Sequence, residues 1–262
     1  MSFLEVYLVT LGIILSFFTI LWIISLVIKD ASIVDIFWGS GFVVAALSYF
    51  ALTEGFATRK ILVLALVAIW GLRLTLHIGK RNIGKGEDFR YRKWREQFGK
   101  RWWWLSYIRV YLLQALILWV VSIPTLAAQY HQTPNYLTIF DVLGIVIWGI
   151  GFYFEAVGDW QLTRFKANPE NKGKLLTTGL WAWTRHPNYF GDAAVWWGLY
   201  LFAVATPWGF LTFFGPLAMN FLLLRVSGVA LLEKSLSKRK PGYEEYIENT
   251  PAFIPRPPKR KR

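Results

Sequence analysis

The chain has 262 residues, 55% of them hydrophobic and 17% charged, with 29 Lys and Arg against 16 Asp and Glu for a net charge of +13. That balance excludes an ordinary water-soluble domain, and the absence of cysteine excludes disulfides, thiolate metal sites and a cysteine nucleophile. Three histidines among scattered acids lack the spacing of a metal centre, so no metal is expected.

Runs of roughly 20 nearly uncharged residues match the helix length that crosses about 30 Å of hydrocarbon. Helices must do the crossing, because lipid offers no partner to an open backbone. In chain order the runs cover about 6–28, 33–53, 61–79, 105–128, 137–160, 188–207 and 209–232, which predicts an all-α integral membrane bundle of about seven helices. The first run is too long for a cleaved signal peptide, and lacks its basic start and small-residue exit, so it is read as a retained span. Pro207, Trp208 and Gly209 leave room only for a tight turn between the last two.

Charged side chains inside such runs need a partner, a cavity or a role. Asp35 falls in the second run, Arg73 and His77 in the third, Arg109 in the fourth, Asp141, Glu155 and Asp159 in the fifth, Asp192 in the sixth and Arg225 in the seventh. Arg73 and His77 are four apart, as are Glu155 and Asp159, so each pair shares one helix face. His77, Glu155, Asp159, Asp192 and Arg225 fall near one expected boundary and can surround a single cavity, or else form interhelical ion pairs. Asp141 and Arg109 read as structural. Asp35 either caps a helix or meets Arg73, or lines the cavity as a desolvated acid able to donate a proton.

Segment 80–101 holds nine basic residues, segment 161–187 five and the tail from Glu233 nine, while Arg59 and Lys60 stand apart from these blocks. The positive-inside rule then predicts a single membrane-embedded domain over 1–262, with loops 80–104 and 161–187 and tail 233–262 cytoplasmic and the amino terminus outside. The membrane is the inner membrane in a bacterium, the endoplasmic reticulum in a eukaryote. Juxtamembrane basic blocks attract lipid headgroups and account for the charge without nucleic acid.

The stretch TGLWAWTRHPNYFGD (178–192) gathers polar residues where an apolar run resumes. Pro187 suits a first helical position, and a helix amino terminus flanked by Arg185 and His186 is a ready phosphate site. Asn188 and Tyr189 follow in the first turn, and Asp192 can accept from a ribose hydroxyl or an amide. These are the parts of a nucleotide site without a Rossmann-type glycine loop.

GLWAWTRHPNYFGD and LLEKSLSKRKPGYEEYIENTPAFIP, together with SIVDIFWG and WGLRLTLHIGKRNIGKGEDFRYRKW, resemble the steroid 5-alpha-reductase family, most closely its bacterial branch of unassigned substrate. The R-H-P-x-Y and terminal elements are shared with sterol reductases and isoprenylcysteine carboxyl methyltransferases. The resemblance implies an NADPH-dependent reductase of a lipophilic, enone or steroid-like alkene, with hydride passing to the beta carbon while side chains polarise the carbonyl. It implies cofactor contacts at Arg81, Arg90, Asp159, Lys166, Asn188 and Asp192, with Glu155 beside them and Glu233 and Tyr243 closing the site from a folded-back tail. The family's catalytic glutamate has Asp35 as its counterpart, and its catalytic tyrosine falls at Ile78, so Asp35 and His77 are expected to act, with Tyr91 in reserve. The alternative it implies is an S-adenosylmethionine-dependent methyltransferase of the isoprenylcysteine type.

Overall fold

A computed structural model describes residues 1–226, 229, 233, 236 and 240–258, and all regular structure among them is helical. Residues 227, 228 and 230–232 of the expected seventh run, and the KRKR end of the tail, lie outside the described residues.

Among the described residues, five helical stretches are long and apolar enough to cross a membrane: Phe3–Ile28, Ala57–Asn82, Phe89–Val121, Ile139–Ala167 and Gly209–Val226. They mark an integral membrane protein, and they correct the expected seven. The 33–53 run breaks at Phe37 into a four-residue helix and the 15-residue helix Trp38–Leu52, which at 1.5 Å per residue reaches only about 22 Å. The 188–207 run forms Pro187–Val204, whose first two turns carry Asn188 and Asp192 and dilute its apolar character. These five helices do not by themselves set the expected placement of the amino terminus outside and the carboxyl terminus in the cytoplasm.

The chain divides into two compact units, the first comprising Met1–Thr138 and Phe202–Gly215, the second Ile139–Leu201 and Pro216–Arg262. The first contains α1 (Phe3–Ile28), α2 (Ile33–Ile36), α3 (Trp38–Leu52), α4 (Ala57–Asn82), α5 (Phe89–Phe98), α6 (Trp102–Ser106), α7 (Leu113–Val121) and α8 (Ile123–Tyr130). Ser2 starts α1 with a capping box, its hydroxyl accepting from the Glu5 N–H while the Glu5 carboxylate accepts from its own. Gly39 of α3 and Gly71 of α4 meet backbone to backbone, and a Cβ on either would collide with the other's carbonyl oxygen. Small residues at such crossings are how apolar helices gain packing where lipid removes the hydrophobic incentive. Tyr7 of α1 and Trp119 of α7 stack at 4.0 Å and each donates to the other's backbone carbonyl.

Arg59 and Lys60, set apart in sequence from the basic blocks, are both buried. Arg59 donates to the carbonyls of Pro134 and Tyr136, and Lys60 to that of Thr53, so these cations tie the start of α4 to its neighbouring loops. After Val204, the Thr206 hydroxyl donates to the Ala203 carbonyl, Trp208 takes a left-handed conformation, and a side chain at Gly209 would strike that same carbonyl. The tight turn at 207–209 is therefore built on Gly209.

In the second unit α9 (Ile139–Ala167) runs beside α10 (Pro187–Val204); α11 (Phe214–Phe221) and α12 (Tyr243–Asn249) follow in the chain. The buried residues of α9 are Asp141, Gly144, Trp148, Gly151, Glu155, Gly158 and Asp159, which as far as Gly158 alternate steps of three and four and keep one stripe turned inward. Three of them are glycines one heptad apart. A Cβ at Gly151 would stand 2.6 Å from the Gly191 carbonyl oxygen, and one at Gly158 3.1 Å from the Pro187 ring, so α10 lies directly on the α9 backbone. Phe140, Val142, Leu143, Val146 and Ile150 of α9 stay exposed, an apolar face suited to lipid.

Candidate functional site

Each unit builds one polar cluster. In the first, the turn after α1 carries Asp35 on α2 and meets the start of α5. Asp88 caps α5 by accepting from the Arg90 N–H at 2.9 Å, and this starts the helix so that Arg90 and Tyr91 reach the same acid. The Tyr91 hydroxyl donates to Asp35 Oδ1 at 2.7 Å, and Arg90 Nη2 donates to Asp35 Oδ2 at 2.8 Å. Arg90 also binds Asp88 through Nε at 2.9 Å. Burial pushes the Asp35 carboxyl above its usual range, against the pull of Arg90 and Tyr91. Tyr91 is buried while the Arg90 side chain is 47% exposed, so the cluster is rooted in protein and open on one side.

A clamp underlies this arrangement. Glu87 accepts from the Ala31 N–H at 2.8 Å and takes Arg95 in a two-point contact at 2.8 and 2.9 Å. Tyr111 donates to the Ala31 carbonyl and the Asp88 N–H to Ser32 Oγ. These bonds hold the 30–35 turn and α5 in register.

In the second unit, the loop before α10 is bound by the tail. Arg185 is buried, and its guanidinium donates to Glu233 Oε1 from Nε at 2.8 Å and from Nη2 at 2.6 Å, and to the carbonyls of Ile247 and Thr250. Its N–H donates to the Pro251 carbonyl and the Arg256 N–H to that of Trp183. The Thr184 hydroxyl reaches the carbonyls of Ala252 and Phe253, and the Tyr246 hydroxyl that of Trp181. His186 Nε2 lies 3.3 Å from Glu233, and its ring stacks on Tyr189 with centroids 5.7 Å apart. Burial lowers the His186 pKa, outweighing the opposite pull of Glu233, so the ring is neutral at neutral pH. Burial raises that of Tyr243, which packs in the same cluster. A step further along, the Asn188 amide donates to Asp159 Oδ1 at 3.1 Å, and Trp181 Nε1 donates to the Gly158 carbonyl.

Of the residues expected from sequence, Asp35, Arg90 and Tyr91 come together, as do Arg185, His186 and Glu233 with Tyr243 nearby, and Asp159 with Asn188. Glu155 is buried one turn before Asp159, with Gly191 against its backbone. Tyr189 and Asp192 are half-buried on the first turns of α10, and Lys166 is exposed on the last turn of α9. His77 is half-buried on α4, and the hydrogen bond to Asp35 comes instead from Tyr91. Arg81 is exposed and donates to the Asn82 carboxamide. Arg185, expected near a phosphate, donates here to Glu233 and tail carbonyls, and Arg90, expected at the cofactor, binds Asp35. Thr184, Trp181 and Tyr246 of the tail clasp, and Glu87 and Arg95 of the clamp, were not singled out from sequence. Asp88 ahead of FRYRKW was the one legible hint, as a capping residue.

A family model described as "Protein of unknown function (DUF1295)" matches residues 21–250. The chain belongs to that family. An uncharacterized protein of Schizosaccharomyces pombe is 26% identical over 94% of this chain and 79% of its own length. Delta(14)-sterol reductase erg24 of the same organism is 30% identical over 40% of this chain and 29% of its own length. A "Probable O-methyltransferase ustE" of Ustilaginoidea virens is 46% identical over 18% of this chain and 16% of its own length. The chain thus spans under a third of either of these last two relatives. No solved structure matches. The similarity to sterol reductases is thus local, covering under half of this chain.

Proposed function

We propose that the protein is an NADPH-dependent reductase of a carbon–carbon double bond conjugated to a carbonyl in a lipophilic substrate. The observation that carries the reading is the Asp35–Tyr91 hydrogen bond at 2.7 Å, with Arg90 on the other carboxylate oxygen. Burial favours the protonated form of the Asp35 carboxyl, which then donates to the phenol and frees the Tyr91 O–H for a substrate carbonyl oxygen. There the hydroxyl stabilises the negative charge that develops and delivers its proton as the enol forms, Asp35 passing its own proton to the tyrosine, while Arg90 holds the other carboxyl oxygen. A partial match to a protein named as a sterol reductase supports the coarser reading, reduction of a lipophilic substrate.

The second unit offers groups that fit a dinucleotide. Asn188 and Asp159 already form an amide–carboxylate pair, Asp192 stands one turn further on α10 to meet ribose or carboxamide groups, and exposed Lys166 is a cation for phosphate. Arg185 does not belong to that set, because its donors are taken. Its role is to hold His186, Tyr189 and Asn188 at the start of α10. When bound, the nicotinamide supplies hydride to the beta carbon. Lipophilic substrate reaches such a protein through the membrane its helices occupy.

Ligand-induced stabilisation tests the reading, since a compound bound only by the native state raises the melting temperature. The purified protein is expected to respond to NADPH, less to NADH and not to S-adenosylmethionine, and Asn188→Ala should abolish the response. A shift with S-adenosylmethionine and none with NADPH would assign the protein to methyl transfer instead.

A further inference from the structure

The segment joining α4 to α5 sorts its charges by sign. Its two acids turn inward, Glu87 to Arg95 and the Ala31 N–H, Asp88 to Arg90. Lys80, Arg81, Lys85, Arg92 and Lys93 are left exposed, and so are two large apolar side chains, Ile83 at 75% and Phe89 at 69%. Gly84 and Gly86 both adopt positive φ, at 82° and 74°, and turn the chain between Ile83 and Phe89. Two exposed apolar side chains and five exposed cations within 14 residues have no complement in the segment itself. The segment also starts directly after one stretch long enough to cross a membrane, ending at Asn82, and leads into the next, starting at Phe89. It therefore stands where hydrocarbon gives way to headgroups.

We propose that residues 80–93 form a docking surface for anionic phospholipid of the adjoining leaflet, with Ile83 and Phe89 entering the interfacial layer and the five cations taking phosphate headgroups. An apolar anchor combined with basic residues is the combination that holds a surface segment to an acidic bilayer. The inference is independent of the reductase reading. It also gives the inward acids a second consequence: by neutralising themselves on Arg95 and Arg90 they leave the outer face without a repelling charge.

The chain has no cysteine, so single-cysteine variants report on one position each. Ile83→Cys and Phe89→Cys, labelled with a polarity-sensitive dye, are compared in nanodiscs of phosphatidylcholine alone and mixed with phosphatidylglycerol. Leu8→Cys on the exposed face of α1 serves as the lipid-immersed reference. Blue-shifted emission is expected at both positions, with quenching by a nitroxide on the upper acyl chain that is about twofold stronger in the anionic discs. That excess should vanish in high salt and in a Lys85→Gln, Arg92→Gln, Lys93→Gln variant. Emission matching free dye in water in both bilayers overturns the proposal and leaves the surface to an aqueous partner. Equal quenching in the two bilayers, unmoved by the charge variant, overturns recognition of headgroups.

Discussion

The two units each pair a buried-end carboxylate with an arginine, and they use the pair differently. Arg185 is 7% exposed in its side chain against Glu233, and every further donor it uses goes to a tail carbonyl. Arg90 is 47% exposed against Asp35, and the acid's other oxygen holds a tyrosine hydroxyl rather than backbone. The first is a fastening, complete within the fold. The second keeps one flank open, as the proposed proton donor requires. Burial and the identity of the remaining partners, not the presence of an Arg–carboxylate contact, separate structure from chemistry.

Substituting the two arginines tests that contrast first. Arg185→Met leaves Glu233 and several carbonyls without their donor, and loss of one partner from a buried pair costs about 3–5 kcal/mol. A large fall in melting temperature with loss of the tail's protection from hydrogen exchange is expected. Arg90→Met removes a side chain that is 47% exposed, from an acid that Tyr91 still holds, and should cost less than Arg185→Met and leave the tail's exchange unchanged. Equal destabilisation by the two would erase the distinction. Next in size, Gly151→Val forces a side chain into the Gly191 carbonyl, an overpacking worth about 1–3 kcal/mol, and should lower thermal stability without touching the Asp35 cluster.

The smallest effect is a pH dependence. His186 has a folded-state pKa below its unfolded value of about 6.5, so at lower pH the unfolded chain binds the extra proton and stability falls as pH drops through and below that point. The melting temperature is expected to decline more between neutral pH and pH about 5.5 in the native protein than in His186→Gln. A His186→Gln protein with an unchanged slope would mean that the ring does not titrate on unfolding.

The α9 stripe was legible in sequence because Glu155 and Asp159 lie four apart on a helix that forms as expected, with α10 starting at Pro187 as that proline suggests. The helix count was not. Trp38–Leu52 and Pro187–Val204 read as spans when hydrophobicity alone was followed, but a break at Phe37 shortens one and the polar first turns of the other set it apart. Spacing along α4 points to Ile78 rather than Tyr91, while the structure brings Tyr91 back to Asp35 across a turn that contains two glycines of positive φ, which leaves no trace in periodicity. Arg185 looked like an anion site because a cation before a helix start looks like one. Its partners lie 48 to 65 residues downstream, and two of them are backbone carbonyls, which carry no residue-type signature.

The central claim is that the Tyr91 hydroxyl, held by Asp35, is the proton donor. It is tested most directly by measuring NADPH oxidation with a panel of lipophilic enones in membranes bearing the native protein or Tyr91→Phe. Loss of a positioned general acid predicts a kcat lower by about 10²–10⁴-fold with the NADPH-induced melting shift retained. A Tyr91→Phe protein that reduces the same enone at the native rate contradicts the account.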